Sequence, residues 1–298
     1  MSRIDQYEFA IECKDLHYES ASKSILKGID LQIPPGAVVG LVGANGCGKS
    51  TLLRSIVGLL PAQTGECRLL GQAALALDDS VRERLGYVAQ SPDLLAYLSV
   101  EMHLKMIGQA YAQWTEERAL RLAIQLQLPL GSLVGNLSGG DQQKLALILA
   151  LTHQPDVIVL DEPVASLDPL TRQEFVRVLF RNESLFLSEI RAENEGVYSP
   201  TVLISSHLLS DLERIVTHIA FMRDGRIHFF DELDVIRDSL RILASDLELL
   251  PRNACVTHNF RRKLVDLRKL DQESLSRLNA SSSLRTPTLD ELFVAFNE

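Results

Sequence analysis

No apolar run in this chain is long enough to cross a bilayer. The most hydrophobic stretch, Leu145 to Leu160, is interrupted by His153, Gln154, Pro155 and Asp156. That is well short of the roughly 20 apolar residues a spanning helix needs, so any membrane role must come through a partner. The first residues, MSRIDQYEFAIECKD, have no apolar stretch behind a basic start and do not resemble a secretory signal. Cysteine is scarce: Cys13, Cys47, Cys67 and Cys255 lie far apart, without the close pairs that a zinc site or a redox motif requires. A reducing compartment is the simplest reading. Basic charge is in deficit, with 30 Lys and Arg against 39 Asp and Glu and a net charge of −9. This argues against a duplex-binding face, which needs a concentrated basic surface. Gly and Pro are also few, while 46% of the residues are hydrophobic, the composition of a globular protein with a sizeable core rather than a disordered one.

What is present reads as an α/β text. Phe9 to Leu16, and then Ile29, Leu31 and Ile33, alternate with period two, as strands with one buried face do. They predict an antiparallel sheet ahead of the core, ended by Pro34-Pro35-Gly36. Ala37 to Val42 is a continuous apolar run, followed by a Gly-rich turn and the amphipathic stretch Ser50 to Leu60: strand, loop, helix. Val157 to Leu160 and Thr201 to Ile204 have the β-branched character of buried parallel strands. Between Leu98 and Leu151 the pattern is helical, with Leu104, Ile107 and Tyr111 on one stripe and Leu120, Ala123 and Leu126 on another. Asp224-Gly225 predicts a tight hairpin between two more strands, after which the core should close. A last helix is expected behind a Thr288 and Glu291 capping box.

Two motifs carry chemistry. Gly43-Ala44-Asn45-Gly46-Cys47-Gly48-Lys49-Ser50, followed by Thr51, has the full P-loop spacing and sits between a buried strand and a helix. Its glycines let backbone N–H groups turn onto phosphate oxygens, and the helix adds its positive end to the same anion. Lys49 is expected on the β and γ phosphates of ATP and the Ser50 hydroxyl on Mg2+. The loop alone does not choose among kinases, GTPases, motors and transporters. The second motif is Asp161-Glu162, at the carboxyl end of a buried strand, where ligands bind in open α/β sheets. Asp161 is placed to hold the magnesium shell and Glu162 to polarise the attacking water. A polar cap after a core strand is the alternative, weakened by the P-loop upstream.

Leu137-Ser138-Gly139-Gly140-Asp141-Gln142-Gln143 resembles the signature of the ABC transporter ATP-binding subunits, and it lies between the P-loop and the acid pair as in that family. Ser138, Gly139 and Gly140 open a helix, where they form a second anion site. The resemblance implies a P-loop NTPase core with a mostly parallel sheet, an antiparallel β sheet leading into it, an inserted helical subdomain at about 92–150 and a small C-terminal extension. It places the ATPase domain at residues 8–230 and the extension at 231–298. It further implies that two subunits, identical or closely related, pack head to tail so that each signature covers the ATP on the other's P-loop. By the same resemblance Tyr18 stacks on adenine, and Gln90 contacts magnesium and the attacking water. Asp168 meets the second subunit, and His207 contacts the γ-phosphate.

The implied function is ATP hydrolysis coupled to transport through a separate integral membrane permease, on the cytoplasmic face of the membrane and without nucleic acid as a partner. The alternative is a soluble ABC ATPase acting on nucleic acid or ribosomes. Such proteins usually carry two ATPase units or a long coiled-coil insertion, and this chain shows neither. Residues 181–200 are longer than the family usually needs at that connection. The closing Thr288-Leu289-Asp290-Glu291-Leu292-Phe293 and Leu98-Ser99-Val100-Glu101 are similar to the drug and antibiotic exporter branch, which leans the direction toward export.

Overall fold

The computed structural model describes residues 4, 6–21, 23–165, 167, 172, 200–206, 215–243, 254, 263–272 and 284–297. Two long strands, β1 (Ile11–Ser20) and β2 (Lys23–Ile33), precede β3 (Val38–Val42) and helix α1 (Lys49–Ile56). Strands β4 (Thr64–Leu69) and β5 (Gln72–Ala73), the short helix α2 (Asp79–Arg82) and strand β6 (Leu85–Val88) follow. Next come helices α3 (Val100–Gly108), α4 (Glu116–Gln125) and α5 (Gly139–Leu151). After these lie β7 (Val157–Asp161), β8 (Thr201–Ser206), β9 (His218–Arg223) and β10 (Arg226–Glu232). The C-terminal part holds helix α6 (Leu233–Ser239), strands β11 (Leu240–Leu243), β12 (Lys263–Asp266) and β13 (Leu284–Arg285), and helix α7 (Leu289–Asn297).

The main sheet has the order β10-β9-β3-β8-β7-β6. From β9 to β6 all neighbours are parallel, and β10 alone is antiparallel. The central strands β3, β7 and β8 are largely apolar because both of their faces are covered. Val39, Leu41, Val157, Val159, Leu203 and Ala220 face one buried cluster, shared with α1 and the antiparallel sheet β2-β1-β4-β5. The alternate residues Val42, Ile158, Leu160, Val202, Ile204, Ile219 and Phe221 face the other, shared with the helices. Successive side chains of a strand point to opposite faces, so continuous apolar runs are what this two-sided burial requires. Each such side chain contributes roughly 1.5–3 kcal/mol when fully buried.

Several expected boundaries move. The first strand runs Ile11–Ser20 instead of Phe9 to Leu16. Helix α1 ends at Ile56, not Leu60, because Gly58 adopts φ 76°, the left-handed turn that glycine allows at a helix end. In α4 the buried face is Ala119, Leu122 and Ala123, continued by Leu126; Leu120 is only half-buried. A stripe at i, i+3, i+4, i+7 follows the 3.6-residue turn, which a strict spacing of three drifts away from. Tyr111 lies beyond the end of α3. The hairpin forms as expected, with Arg223 opposite Arg226 and positive φ at Asp224 (50°) and Gly225 (79°).

The core does not close at that hairpin. Leu233, Ile236, Leu240, Ile242, Leu264, Leu292 and Ala295 belong to the same buried cluster as the helical face of the main sheet. Helix α7 packs on β9. Its capping box is present: Glu291 N donates to Thr288 Oγ1 at 3.3 Å, and Thr288 N donates to Glu291 Oε2 at 3.1 Å. Arg285, hydrogen-bonded to the same carboxylate, holds the Glu291 pKa down to about 2.

Helix α5 is buried nearly all round, against α3, α4 and β6. Its approach to the sheet depends on Gly86, where a Cβ would stand 2.4 Å from the Ala150 carbonyl oxygen. Backbone cannot yield as a flexible side chain can, so Gly86→Ala should lower unfolding free energy by about 1–3 kcal/mol, read as a lower urea midpoint. An unchanged midpoint would mean that α5 is not held this close.

Candidate active site

The P-loop leaves β3 and is braced from beneath by the β9–β10 hairpin. Gly225 N donates to Cys47 O at 3.1 Å, and Lys27 N donates to Gly225 O at 2.9 Å. A Cβ at Gly43 would lie 2.2 Å from Met222 O, so only glycine fits there. Gly46 and Gly48 take φ values of 77° and 114°. Ala44, Asn45 and Gly46 form the exposed rim of the loop, Cys47 is turned into the core, and Thr51 is half-buried on the first turn of α1. Burial raises the Cys47 thiol pKa above its ordinary value, so it stays a neutral packing group while its backbone remains part of the loop. Helix α1 starts at Gly48 with no side-chain cap and no acidic residue in its first turn. No side chain of its own first turn offsets the positive end of the helix.

Lys49 folds back over the loop. Its Nζ donates to Gly43 O at 2.8 Å and to Ala44 O at 3.4 Å, and lies 3.3 Å from Glu162 Oε1. Both side chains of that ion pair are buried, 6% and 7% exposed. Asp161, fully buried at the end of β7, accepts from Ser50 Oγ at 3.0 Å and from Ser205 Oγ at 2.9 Å, both on Oδ1. Its Oδ2 is buried with no hydrogen-bond partner among the described residues. A buried carboxylate oxygen left open beside a serine hydroxyl is a donor set of the hard-oxygen kind that Mg2+ takes, so the expected pair Ser50 and Asp161 fits that ion. Glu162 stands at φ 46°, a left-handed conformation that costs a residue with a Cβ about 1–2 kcal/mol. Its N–H donates to Ser205 Oγ at 2.8 Å.

Ser205 is the site residue that sequence reasoning missed. The available signal was a hydroxyl at the carboxyl end of an apolar parallel strand, in TVLISS, where a polar side chain needs a buried partner. Gln90 lies exposed, two residues beyond the end of β6, whose Val88 pairs with Leu160 beside Asp161. Tyr18 is half-buried on β1 and pairs with Leu26. The Leu26 Cδ2 lies 3.2 Å from where a Cβ on Gly48 would stand, so Tyr18 flanks the loop. Asp168 and His207 lie outside the described residues, as do residues 181–199 of the 181–200 segment.

The signature forms its own helix start. Ser138 caps α5, accepting from Asp141 N at 3.1 Å and donating to Asp141 Oδ2 at 2.8 Å. A Cβ on Gly139 would meet nothing within 4 Å among the described residues, so none of their contacts demands glycine there. From the same helix the buried Gln143 donates to Ala89 O at 3.3 Å, tying α5 to the residue before Gln90.

Residues 26–165 match the ABC transporter family. The chain is 35% identical over 237 residues to the aliphatic sulfonates import ATP-binding protein SsuB 3 of Pseudomonas syringae pv. syringae (strain B728a), covering 78% of this chain and 81% of that one. It is 28% identical to the bacitracin transport ATP-binding protein BcrA of Bacillus licheniformis, covering 73% and 68%. A solved ATP-binding subunit of an ABC transporter superposes with a TM-score of 0.66 at 27% identity, over 77% of this chain and 92% of that one.

Lys49→Ala removes the only cation that the described residues place between the loop and the acid pair. ATP affinity, measured by titration calorimetry, should fall at least about tenfold, as expected for losing a charge-assisted hydrogen bond of about 1.5–3 kcal/mol. Unchanged affinity in a folded variant would remove Lys49 from the site.

Proposed function

Because this chain belongs to the ATP-binding subunits of ABC transporters, an ATPase family, we propose that two subunits close around two ATP molecules, hydrolyse them and reopen, driving a separate membrane permease. The observation that carries this is the buried set of Lys49, Ser50, Asp161 and Glu162, gathered between a P-loop and a strand end. In this reading Lys49 leaves Glu162 for the β and γ phosphates when ATP enters. Glu162 then accepts a proton from the attacking water. Ser50, Asp161 and Gln90 hold Mg2+, which supplies charge neutralisation on the phosphates. Tyr18 stacks on adenine, and the backbone of residues 43–51 holds the phosphates. His207 contacts the γ-phosphate, and Asp168 meets the second subunit.

The second subunit is needed because Ser138, Gly139 and Gly140 open a different helix from the one that follows the P-loop. The open space at Gly139 suits the close approach of a nucleotide held by another chain. We place the ATPase domain at residues 8–230, with the helical insertion at about 92–150, and the extension at 231–298.

The permease docks at the groove of about 670 Å³ between core and helices, lined in part by Arg54, Tyr87, Ser91, Leu94, Ile107 and Tyr111. Within residues 91–111, Tyr97, Met102 and Met106 are exposed apolar side chains, which support that segment as the contact. Among the described residues no helix is long and apolar enough to cross a membrane. In this reading the chain works from the cytoplasmic side through that partner. The C-terminal segment Thr288 to Phe293 supports export. SsuB 3 is named for import and BcrA for bacitracin transport, so uptake against efflux in inverted vesicles decides the direction.

Glu162→Gln should bind MgATP, lose turnover and accumulate as a closed dimer on size-exclusion chromatography. Full turnover in that variant would end the general-base assignment. The same variant, purified from solubilised native membranes with MgATP, should bring one polytopic membrane protein with it, and recovery of ribosomes instead would sink the transporter reading. Alanine at Leu94, Tyr97 and Met102 together should break that complex while leaving ATP affinity intact. A complex that survives would place the permease elsewhere.

A further inference from the structure

We propose that Ser205 is the positioning residue that sets the geometry of both active-site carboxylates, an inference that rests on the nucleotide-site reading above. In the sheet β8 lies between β3, which carries the P-loop, and β7, which carries the acids, and Ser205 sits directly opposite Asp161 in the register. Its side chain is fully buried. A serine hydroxyl has one proton to give and lone pairs to accept with. Here both capacities are used on the acid pair: Oγ donates to Asp161 Oδ1 at 2.9 Å and accepts from Glu162 N at 2.8 Å.

The first bond determines which carboxylate oxygen is left open. Together with Ser50 Oγ, also on Oδ1 at 3.0 Å, it fixes the rotation of the Asp161 carboxylate and leaves Oδ2 as the oxygen with no partner among the described residues. The second bond holds the chain just where it turns out of the strand. Glu162 at φ 46° is in a conformation that persists only when its surroundings over-determine it. The Ser205 hydroxyl supplies such a tie, so the direction in which the Glu162 side chain leaves the strand depends on it. The hydrogen bonds of its side chain go to Asp161 and Glu162, so Ser205 acts through them.

The test compares Ser205→Ala and Ser205→Thr with the unsubstituted protein. It measures steady-state ATP hydrolysis and, separately, ATP affinity with magnesium and with EDTA. Ser205→Ala should lower kcat by about 10- to 100-fold, the scale of misplacing a catalytic group. ATP affinity in EDTA should be unchanged, since the P-loop is intact, while the gain in affinity on adding magnesium should shrink. Ser205→Thr, which keeps the hydroxyl, should recover both. Normal kcat and a normal magnesium gain in Ser205→Ala would overturn the inference. So would loss of EDTA affinity together with the thermal midpoint, because that is what a merely structural residue does. Glu162→Gln assayed alongside separates the two readings. If it keeps full turnover, the acid-pair assignment itself fails. If it is dead while Ser205→Ala is active, only the role of Ser205 fails.

Discussion

An ammonium and two carboxylates held out of water at one end of a parallel sheet set the terms for the rest of the molecule. Lys49, Asp161 and Glu162 are each less than a tenth exposed, and charges so placed are tolerable only when every one finds a partner at close range. The partners come from three separate stretches of chain: the loop at 43–50, the end of β7 and the end of β8. No local segment assembles them. The order β3-β8-β7 does, and the interleaved burial of both sheet faces holds that order in register. The apolar packing is thus what makes the polar site affordable.

The same logic extends to the helices. Helix α5 meets the sheet through Gly86 with no room for a methyl group, and Gln143 ties it to Ala89. The signature and Gln143 lie in the same first turns of α5, so the hydrogen bond to Ala89 links the signature to the segment around Gln90. Ser138 has a structural task as the cap of α5, but a cap needs only its own hydroxyl. That accounts for the serine, whereas the open space at Gly139 finds no explanation among the described residues and has one if a second chain approaches.

Much of this could be read from the sequence, for physical reasons. The P-loop glycines are dictated by backbone conformation and by contacts such as that with Met222 O, so their spacing carries the geometry directly. The continuous runs at β3, β7 and β8 are apolar because both faces are buried, which period and composition reveal. Boundaries such as the end of α1 turned on one glycine, Gly58, that pattern reading passed over. Ser205 was illegible for a different reason: a lone serine in a strand gains its meaning from the strand beside it, and pairing between β7 and β8 is not encoded in either segment alone. The packing of α6 and α7 on the main core was hidden in the same way, since short apolar clusters do not announce which surface they cover.

Folding stability does not by itself explain why the buried charges are there. Replacing a buried ionic cluster by apolar side chains of similar volume is often neutral or stabilising by about 1–4 kcal/mol. Glu162 adds a left-handed backbone that a glycine would adopt without strain. A chain selected for stability alone would discard the ammonium, the second carboxylate and the strained turn. Their joint presence, with one carboxylate oxygen without a partner among the described residues and no side-chain cap on α1, describes a site of unmet electrostatic demand. What answers that demand must bring negative charge to the helix end and positive charge to the open oxygen at once. A nucleotide triphosphate carrying a divalent cation has both.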